Sequence, residues 1–338
     1  MSHATGPRRA VALVVVLVLA AACSSGDDAA PTSTGTASGT PTSASATTGP
    51  PNTAAPTSAP SRTVAATTTL TQSCGTGGDL SRPSQSRTFT TGDGVDRTWL
   101  LALPSGYDHS EPAPVVFNLH GAGSNGAEQY VYGNFIEQAE RDGALLVMPE
   151  ALEVNGRPAW SPGEPGSDDD LDFIAELVDL LRSEYCTGSF YAAGMSSGGF
   201  MTTALACWAD SPFEAFGPVT FAFYNPSACA DAAPRPIVYF HGSDDDTVPF
   251  DGTDGGLDAA PVTAQEWADH NGCDPDPIEE QIGDEVRRLT WEGCAASTDF
   301  YIVDGGGHTW PGSLAIEAFG HTTDQISASD IIWDLFLG

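Results

Sequence analysis

Residues 190–206 read FYAAGMSSGGFMTTALA, and this stretch decides the expected architecture. The apolar residues 190–193 suit a buried strand, and residues 198–209 suit a helix. Between them the pattern Gly-x-Ser-x-Gly centres on Ser196, and its small flanking residues let the backbone turn sharply and lift a serine hydroxyl above a sheet. The stretch therefore predicts a strand, a tight turn and a helix, with Ser196 as a candidate nucleophile at the turn.

Strand-like and helix-like segments alternate on both sides of this turn. The predicted strands are 99–103, 114–119, 144–148, 190–194, 219–223, 236–240 and 300–303. The predicted helices are 127–141, 170–185, 198–209, 263–270 and 328–336, and residues 279–294 suit a hairpin. Such alternation predicts an α/β domain with a mostly parallel, doubly wound sheet, whose functional groups gather at the carboxyl ends of the strands.

A serine hydroxyl needs a general base, because a protonated alcohol is a poor nucleophile. The histidines that follow Ser196 in the chain are His241, His270, His308 and His321. His308 lies in the glycine-rich segment 305–312, GGGHTWPG, directly after a predicted strand. A flexible loop at a strand end can carry an imidazole to the serine, so we predict His308 as the base, with His321 as the alternative.

The orienting acid is expected between the nucleophile and the base, since triads on such sheets follow the order serine, acid, histidine. Residues 240–250, FHGSDDDTVPF, supply three successive aspartates after a predicted strand. They cannot all face the base. Asp245 is favoured, and Asp244 and Asp246 remain alternatives. The carboxylate would fix the imidazole tautomer and stabilise the imidazolium ion.

An acyl-transfer site also needs N–H donors for the oxyanion of its tetrahedral intermediate. One is predicted at Ser197, directly after the candidate nucleophile. The second is predicted at Ala122, in the segment 119–124, LHGAGS, where Gly121 and Gly123 allow the backbone to approach a substrate closely.

These motifs together resemble the secreted bacterial polyhydroxybutyrate depolymerase and feruloyl-esterase-like family of α/β-hydrolase esterases. The family pattern has Gly-Met-Ser-x-Gly-Gly at the nucleophile, His-Gly-Thr-x-Asp-x-x-Val-Pro-Tyr at the acid and Gly-Gly-His-Thr-Trp-Pro-Gly at the base. The chain keeps all three, with Ser243 and Phe250 as mild departures and a larger departure at residues 160–163.

The resemblance implies an α/β-hydrolase fold and hydrolysis of carboxylic esters through an acyl-enzyme, without a metal or cofactor. It implies feruloyl or acetyl esters on polysaccharide, or short hydroxyalkanoate esters, as substrates, and it places the acid at Asp245. Trp160 and Trp310 are candidates for lining an aromatic acyl pocket, and they are equally candidates for the core, where tryptophan is usually well buried.

The cysteines bear on both compartment and fold. Apart from Cys23, the chain has Cys74, Cys186, Cys207, Cys229, Cys273 and Cys294. An even number in an exported domain indicates disulfides, although six cysteines leave fifteen connectivities open. The most local loops are Cys273–Cys294 and Cys207–Cys229, which would leave Cys74–Cys186, and the resemblance also favours the first pair. The spacing does not suit zinc.

The N-terminus predicts export. Residues 1–22 combine Arg8 and Arg9 with an apolar run too short to span a bilayer, which is typical of a signal peptide. Residues 19–24, LAAACS, resemble a lipobox that would place a lipid on Cys23, with plain secretion as the alternative. Residues 23–73 are rich in Ser, Thr, Ala and Pro and predict a disordered tether. Residues 74–338 remain for one catalytic domain, expected to be monomeric.

The charge restricts the partners. The formal net charge is -33 at pH 7, and every cationic side chain is an arginine. This argues against nucleic-acid binding, which needs clustered cations. It also disfavours acidic polysaccharides, and membrane contact is expected only through the lipid anchor. Alternatives to an esterase are a serine peptidase or acyltransferase on the same fold, and a non-catalytic binding lipoprotein.

Overall fold

The computed structural model describes residues 74–81, 84–162, 170–254 and 256–338. The predicted signal peptide (1–22), the lipidation site Cys23 and the tether (23–73) lie outside the described residues. Within the described ranges, no helix combines the length and the apolar character that crossing a bilayer requires.

The secondary structure follows the alternation that the sequence predicts. The strands are β1 (Ser84–Thr90), β2 (Asp96–Ala102), β3 (Ala113–Leu119), β4 (Leu145–Pro149), β5 (Glu153–Val154), β6 (Arg157–Pro158), β7 (Thr187–Met195), β8 (Phe213–Val219), β9 (Ile237–Gly242), β10 (Ile278–Ile282), β11 (Val286–Trp291) and β12 (Thr298–Val303). The α-helices are α1 (Gly126–Tyr132), α2 (Ile136–Asp142), α3 (Asp170–Glu184), α4 (Ser197–Cys207), α5 (Ala260–His270) and α6 (Ala328–Leu337), and Glu317–Phe319 forms a 3₁₀ turn.

One large sheet organises the domain. Its strand order is β1-β2-β4-β3-β7-β8-β9-β12-β11-β10, and β5 pairs only with β6. The six central strands run parallel to one another, and in sheet order they are β4, β3, β7, β8, β9 and β12. Antiparallel strands extend the sheet on both sides, β2 and β1 beyond β4, and β11 and β10 beyond β12. The predicted α/β-hydrolase architecture is thus confirmed, and the predicted hairpin at residues 279–294 forms one edge of the sheet.

Helices cover both faces of this sheet. The almost wholly apolar sequence of β3 follows from packing on both of its faces. Val115 and Phe117 pack in the cluster that contains α3 residues, whereas Val116 packs in the cluster that contains α6 residues. Neighbouring side chains of a strand point to opposite faces, so a strand that is covered twice buries every position. The parallel strands are therefore held rigidly, and their carboxyl ends form a stable platform for loops.

Two predicted elements differ from the observed ones. The predicted helix 127–141 is divided into α1 and α2 at Gly133, where a β-carbon would collide with the side chain of Asn118, and at Asn134, which has a φ of 43°. The predicted strand 219–223 is displaced, because β8 ends at Val219 and Thr220 turns the chain with a φ of 61°. The apolar residues that follow lie in a loop.

Three disulfides connect the described cysteines. They join Cys74 to Cys186, Cys207 to Cys229 and Cys273 to Cys294. The first ties the start of the described chain to the residue before β7, the strand that leads to Ser196.

Candidate active site

Ser196 occupies a strained turn between β7 and α4. Its backbone has φ 56° and ψ −121°, a combination that non-glycine residues rarely adopt. The turn is held because the Ser196 N–H donates to the carbonyl of Val219 at 2.9 Å. A β-carbon on Gly198 would collide with the carbonyl oxygen of Leu119, so the close approach of α4 to β3 requires glycine there. This is the strand–turn–helix geometry that the Gly-x-Ser-x-Gly pattern predicts.

Asp245 and His308 meet at the carboxyl ends of the parallel strands, in the loops that follow β9 and β12. Ser196 lies at the same end of the sheet, directly after β7. His308 Nδ1 donates to Asp245 Oδ2 at 2.7 Å, and the two residues are only 5% and 4% exposed. The other carboxylate oxygen, Oδ1, accepts the backbone N–H groups of Thr247 and Val248, each at 2.8 Å. The carboxylate is thus fixed by three donors, and the imidazole is held in the tautomer that leaves Nε2 as an acceptor.

The rival candidates lie elsewhere. Asp244 and Asp246 are exposed on either side of the buried Asp245. His321 is directed to Glu285, with Nε2 at 3.0 Å from the carboxylate. Among the residues that the structure describes, Ser196 Oγ makes no hydrogen bond, either to His308 Nε2 or to any other group, and His308 is bonded only to Asp245.

A second histidine, His241 at the end of β9, supports the acid loop, in line with the structural role that its place at a strand end predicts. His241 Nε2 donates to the carbonyl of Val248 at 2.8 Å and lies 3.4 Å from Asp245 Oδ2. Its Nδ1 accepts the hydroxyl of Tyr239. Burial lowers the pKa of His241, which keeps the ring neutral. The neutral ring holds the loop through its hydrogen bond to the carbonyl of Val248.

The neutral state of His241 predicts a pH-dependent contribution to stability. Its folded pKa is lowered, so the contribution is complete above the unfolded imidazole pKa of about 6.5 and is lost as the pH falls below it. We expect His241→Asn to weaken the pH dependence of the unfolding free energy between about pH 7 and 5, by up to about 1.4 kcal/mol per pH unit. Urea denaturation at each pH measures this. Identical slopes for the variant and the unmodified protein would show that His241 is not buried neutral.

The loop between β3 and α1 lies against the candidate nucleophile. A β-carbon on Gly121 would stand 3.5 Å from the β-carbon of Ser196, an ordinary contact. Ser124 N–H donates to the Gly121 carbonyl at 3.1 Å and Gly123 has a φ of 81°, which together make a tight turn. Within the described residues, the N–H groups of Ala122 and Ser197 have no acceptor. Both predicted donors are therefore unengaged.

The expectation that Trp310 lines an acyl pocket is wrong. Trp310 is 0% exposed, and its indole Nε1 donates to Ser329 Oγ at 3.0 Å. Its ring lies edge-on to Phe135 at 5.9 Å between centroids. An indole with a satisfied N–H and an apolar shell is most stable in the core. Trp310 thus anchors the loop that carries His308, two residues away.

The same expectation for Trp160 is also wrong. Trp160 is 5% exposed and belongs to the core cluster on the α3 side of the sheet. Its indole Nε1 donates to the carbonyl of His120 at 2.9 Å. The side chain therefore faces the protein interior rather than a pocket.

Other aromatic side chains stand near the candidate triad instead. Phe319 is 40% exposed, and its ring centroid lies 6.4 Å from that of His308. Phe200, whose N–H donates to the Ser196 carbonyl, contacts Phe221 and Phe223 with centroid distances of 5.4 Å each. These three rings are partly exposed. The apolar run after β8, which the sequence predicts as the strand 219–223, supplies two of them.

The structure gives no arrangement that would bind a metal among its described residues, because no three His, Cys, Asp or Glu side chains are suitably grouped there.

A cavity of about 370 Å³ lies against the acid loop, lined by Ser243, Asp244, Asp245, Asp246, Pro249, Phe250 and Asp251.

Comparison with known proteins identifies relatives. No family model matches the chain. A probable feruloyl esterase C of Aspergillus niger is 30% identical over 253 residues, which cover 71% of this chain and 84% of that protein. Feruloyl esterase C of Emericella nidulans is 31% identical over 224 residues, covering 62% and 76% respectively.

A solved structure supports the architecture. The acetyl xylan esterase from Aspergillus awamori superposes with a TM-score of 0.54 at 18% identity, covering 67% of this chain and 94% of that one. This likeness shows the fold, and the identity to the Aspergillus niger protein shows the family. The chain therefore belongs to the feruloyl esterase C family and is a carboxylic ester hydrolase of the α/β-hydrolase type.

Proposed function

We propose that this esterase releases hydroxycinnamic or acetic acid from polysaccharide esters, with Ser196 as nucleophile, His308 as general base and Asp245 as orienting acid. The observation that carries the proposal is the buried Asp245–His308 hydrogen bond of 2.7 Å. This bond lies at the carboxyl ends of the parallel strands, as does the strained turn of Ser196. The names of the relatives support the substrate class, since they are feruloyl esterases.

Acylation follows from the tautomer that Asp245 imposes. With Nδ1–H bonded to the carboxylate, His308 Nε2 accepts the proton of Ser196 Oγ as the oxygen attacks the ester carbon. The carbonyl oxygen becomes an oxyanion, which accepts hydrogen bonds from the N–H groups of Ala122 and Ser197. When the tetrahedral intermediate collapses, the bond to the alkoxy oxygen breaks. The imidazolium gives its proton to the departing alkoxy oxygen, which leaves as a sugar hydroxyl, and the acyl group remains on Ser196.

Deacylation repeats these steps with water. His308 Nε2 takes a proton from water as its oxygen attacks the acyl carbon, and the same two N–H groups stabilise the second oxyanion. The proton then returns to Ser196 Oγ as the ester bond to the enzyme breaks. The free acid is released, and the enzyme recovers its starting protonation.

The exposed ring of Phe319 supports an aromatic acyl group, because it stands beside His308 at the proposed site. We expect Phe319→Ala to lower kcat/KM for methyl ferulate about tenfold, which corresponds to the loss of one aromatic contact. The value for p-nitrophenyl acetate is expected to change less than about twofold. Ile278→Ala, which removes another exposed apolar side chain from the edge strand β10, is the matched control. Equal losses on both substrates would place Phe319 outside the acyl pocket.

A hydrolysis panel tests the substrate class. It contains methyl ferulate, acetylated xylan, p-nitrophenyl acetate and butyrate, hydroxybutyrate oligomers and a peptide anilide. The proposal expects the highest kcat/KM on methyl ferulate or acetylated xylan. Preference for hydroxybutyrate oligomers would instead support a depolymerase-like substrate. Preference for the anilide would support a peptidase, and no turnover at all would support a binding protein.

We also propose that the chain is exported, carries a lipid on Cys23 and acts as a monomer. The three disulfides support export, since such bonds persist in oxidising compartments. Mass spectrometry of the N-terminal peptide from the producing cell tests the lipid, and light scattering tests the monomer. A peptide that begins beyond Cys23 would show plain secretion.

A further inference from the structure

One segment contacts both halves of the proposed oxyanion hole. It is the chain from Pro158, the last residue of β6, to Trp160. The carbonyl of Pro158 accepts the N–H of Gly123 at 2.7 Å. The backbone N–H of Trp160 donates to Ser197 Oγ at 2.9 Å. Its indole Nε1 donates to the carbonyl of His120 at 2.9 Å. Trp160 thus bonds at once to the residue after the nucleophile and to the loop after β3.

The bonds to this loop determine where the Ala122 N–H points. In a planar trans peptide the carbonyl of one residue and the N–H of the next lie on opposite sides, so fixing one aims the other. The Gly121 carbonyl accepts His120 Nδ1–H at 2.8 Å and the Ser124 N–H at 3.1 Å. The preceding carbonyl, of His120, is fixed by Trp160. Two consecutive peptide planes are therefore held, and the free N–H of Ala122 projects from the second.

The His120 ring is suited to this support. Its Nε2 accepts the N–H of Ala151 at 3.1 Å, so Nδ1 carries the proton that reaches Gly121. The ring is 0% exposed, and burial lowers its pKa, which keeps this tautomer neutral although Glu150 lies 3.7 Å away. The ring of Trp160 covers it at 5.3 Å between centroids.

From these contacts we infer that Trp160 is a positioning residue, which holds the N–H groups of Ala122 and Ser197 in the fixed relation that an oxyanion requires. The inference rests on the proposed function, in which these two groups are the donors. Trp160 is 5% exposed, so its side chain presents almost no surface to a substrate. Its effect is therefore confined to the transition state, because a preorganised donor stabilises charge that develops only there.

The test compares two tryptophans. Trp160→Phe removes the donor to His120 and keeps an aromatic ring. Trp267→Phe is the matched control, since Trp267 is also buried in the same core cluster, and its indole N–H has no acceptor among the described residues. For Trp160→Phe we expect kcat on p-nitrophenyl acetate to fall about 10- to 100-fold with KM within about twofold, part of the loss seen when an oxyanion donor is removed. Trp267→Phe is expected to retain kcat.

A trifluoromethyl ketone separates positioning from general damage. It adds to the nucleophile and presents an oxyanion, so its affinity should fall in Trp160→Phe by the same factor as kcat/KM. The KM for p-nitrophenyl acetate, whose ground-state carbonyl oxygen carries no full charge, should stay within about twofold. If Trp160 had only a structural role, both tryptophan variants would lose thermal stability, and neither would lose affinity for the trifluoromethyl ketone.

Ser197→Ala is an independent variant, and its affinity alone tests the inference if Trp160→Phe does not fold. It removes the hydroxyl that accepts the Trp160 N–H but keeps the backbone donor. We expect a several-fold loss of trifluoromethyl ketone affinity, and a loss in the double variant smaller than the product of the single losses. Unchanged trifluoromethyl ketone affinity in Trp160→Phe and in Ser197→Ala would overturn the inference. If Ser196→Ala is inactive in the same experiment, the proposed function still stands. An active Ser196→Ala would overturn both.

Discussion

Replacing Ser196 by alanine is expected to lower kcat on p-nitrophenyl acetate and on methyl ferulate by about a million-fold, the scale of loss when a serine nucleophile is removed. The variant should fold normally, because the side chain of Ser196 makes no hydrogen bond among the described residues. Labelling with a fluorophosphonate probe should disappear in parallel. Activity assays and the probe together separate the loss of the nucleophile from the loss of the fold.

The matched control is Ser227→Ala, which changes an exposed serine in the loop after β8. It should keep full activity and full labelling. Turnover in Ser196→Ala comparable to that of the control would assign the nucleophile to another residue.

Asp245→Asn is expected to lower kcat by about 10⁴-fold, as when the acid of a serine triad is replaced by its amide. The reason lies in the arrangement of three donors around the carboxylate. Oδ1 accepts the N–H groups of Thr247 and Val248, so the single oxygen of asparagine is drawn to that side. The amide NH₂ then faces His308 Nδ1, which must accept. The imidazole is thereby forced to carry its proton on Nε2, where it cannot take the serine proton.

Asp246→Asn is the control, because Asp246 is the exposed neighbour of the same charge. It should retain activity within about twofold, since surface substitutions have small effects. Steady-state kinetics on p-nitrophenyl acetate, with circular dichroism to verify folding, measure both variants. A large loss in Asp246→Asn with full activity in Asp245→Asn would reverse the assignment.

Much of the fold could be predicted from sequence because its signals are local. The parallel strands are buried on both faces, so they are continuous apolar runs, as in β3 and β4. The turn at Ser196 is marked by glycines that only close backbone approach explains. The sequence alone also placed the three disulfides among its favoured pairings, because two of them close short loops.

The errors came where a local pattern has two physical outcomes. The apolar residues after Val219 suit a strand, but the positive φ of Thr220 ends β8 and leaves Phe221 and Phe223 beside Phe200. The break between α1 and α2 lies at Asn134, whose φ is 43°, next to Gly133, which packs against Asn118 on β3. Such contacts join residues that are distant in sequence and leave no periodic signal.

The tryptophans show the same limit at the site. Trp160 and Trp310 stand next to catalytic motifs, and sequence alone cannot say whether a ring faces inward or outward. Both indoles find buried acceptors, His120 for one and Ser329 for the other, so both turn inward. The aromatic residue that is exposed beside His308 is Phe319, which no motif marks.

The most direct test of the account is to trap the acyl-enzyme. The enzyme is mixed with methyl ferulate, quenched in acid within the first turnovers and analysed by intact mass and peptide mapping. The account predicts a transient mass increase of one feruloyl group on the peptide that contains Ser196, absent in Ser196→Ala. Turnover with no covalent adduct, or with the adduct on another residue, would contradict it.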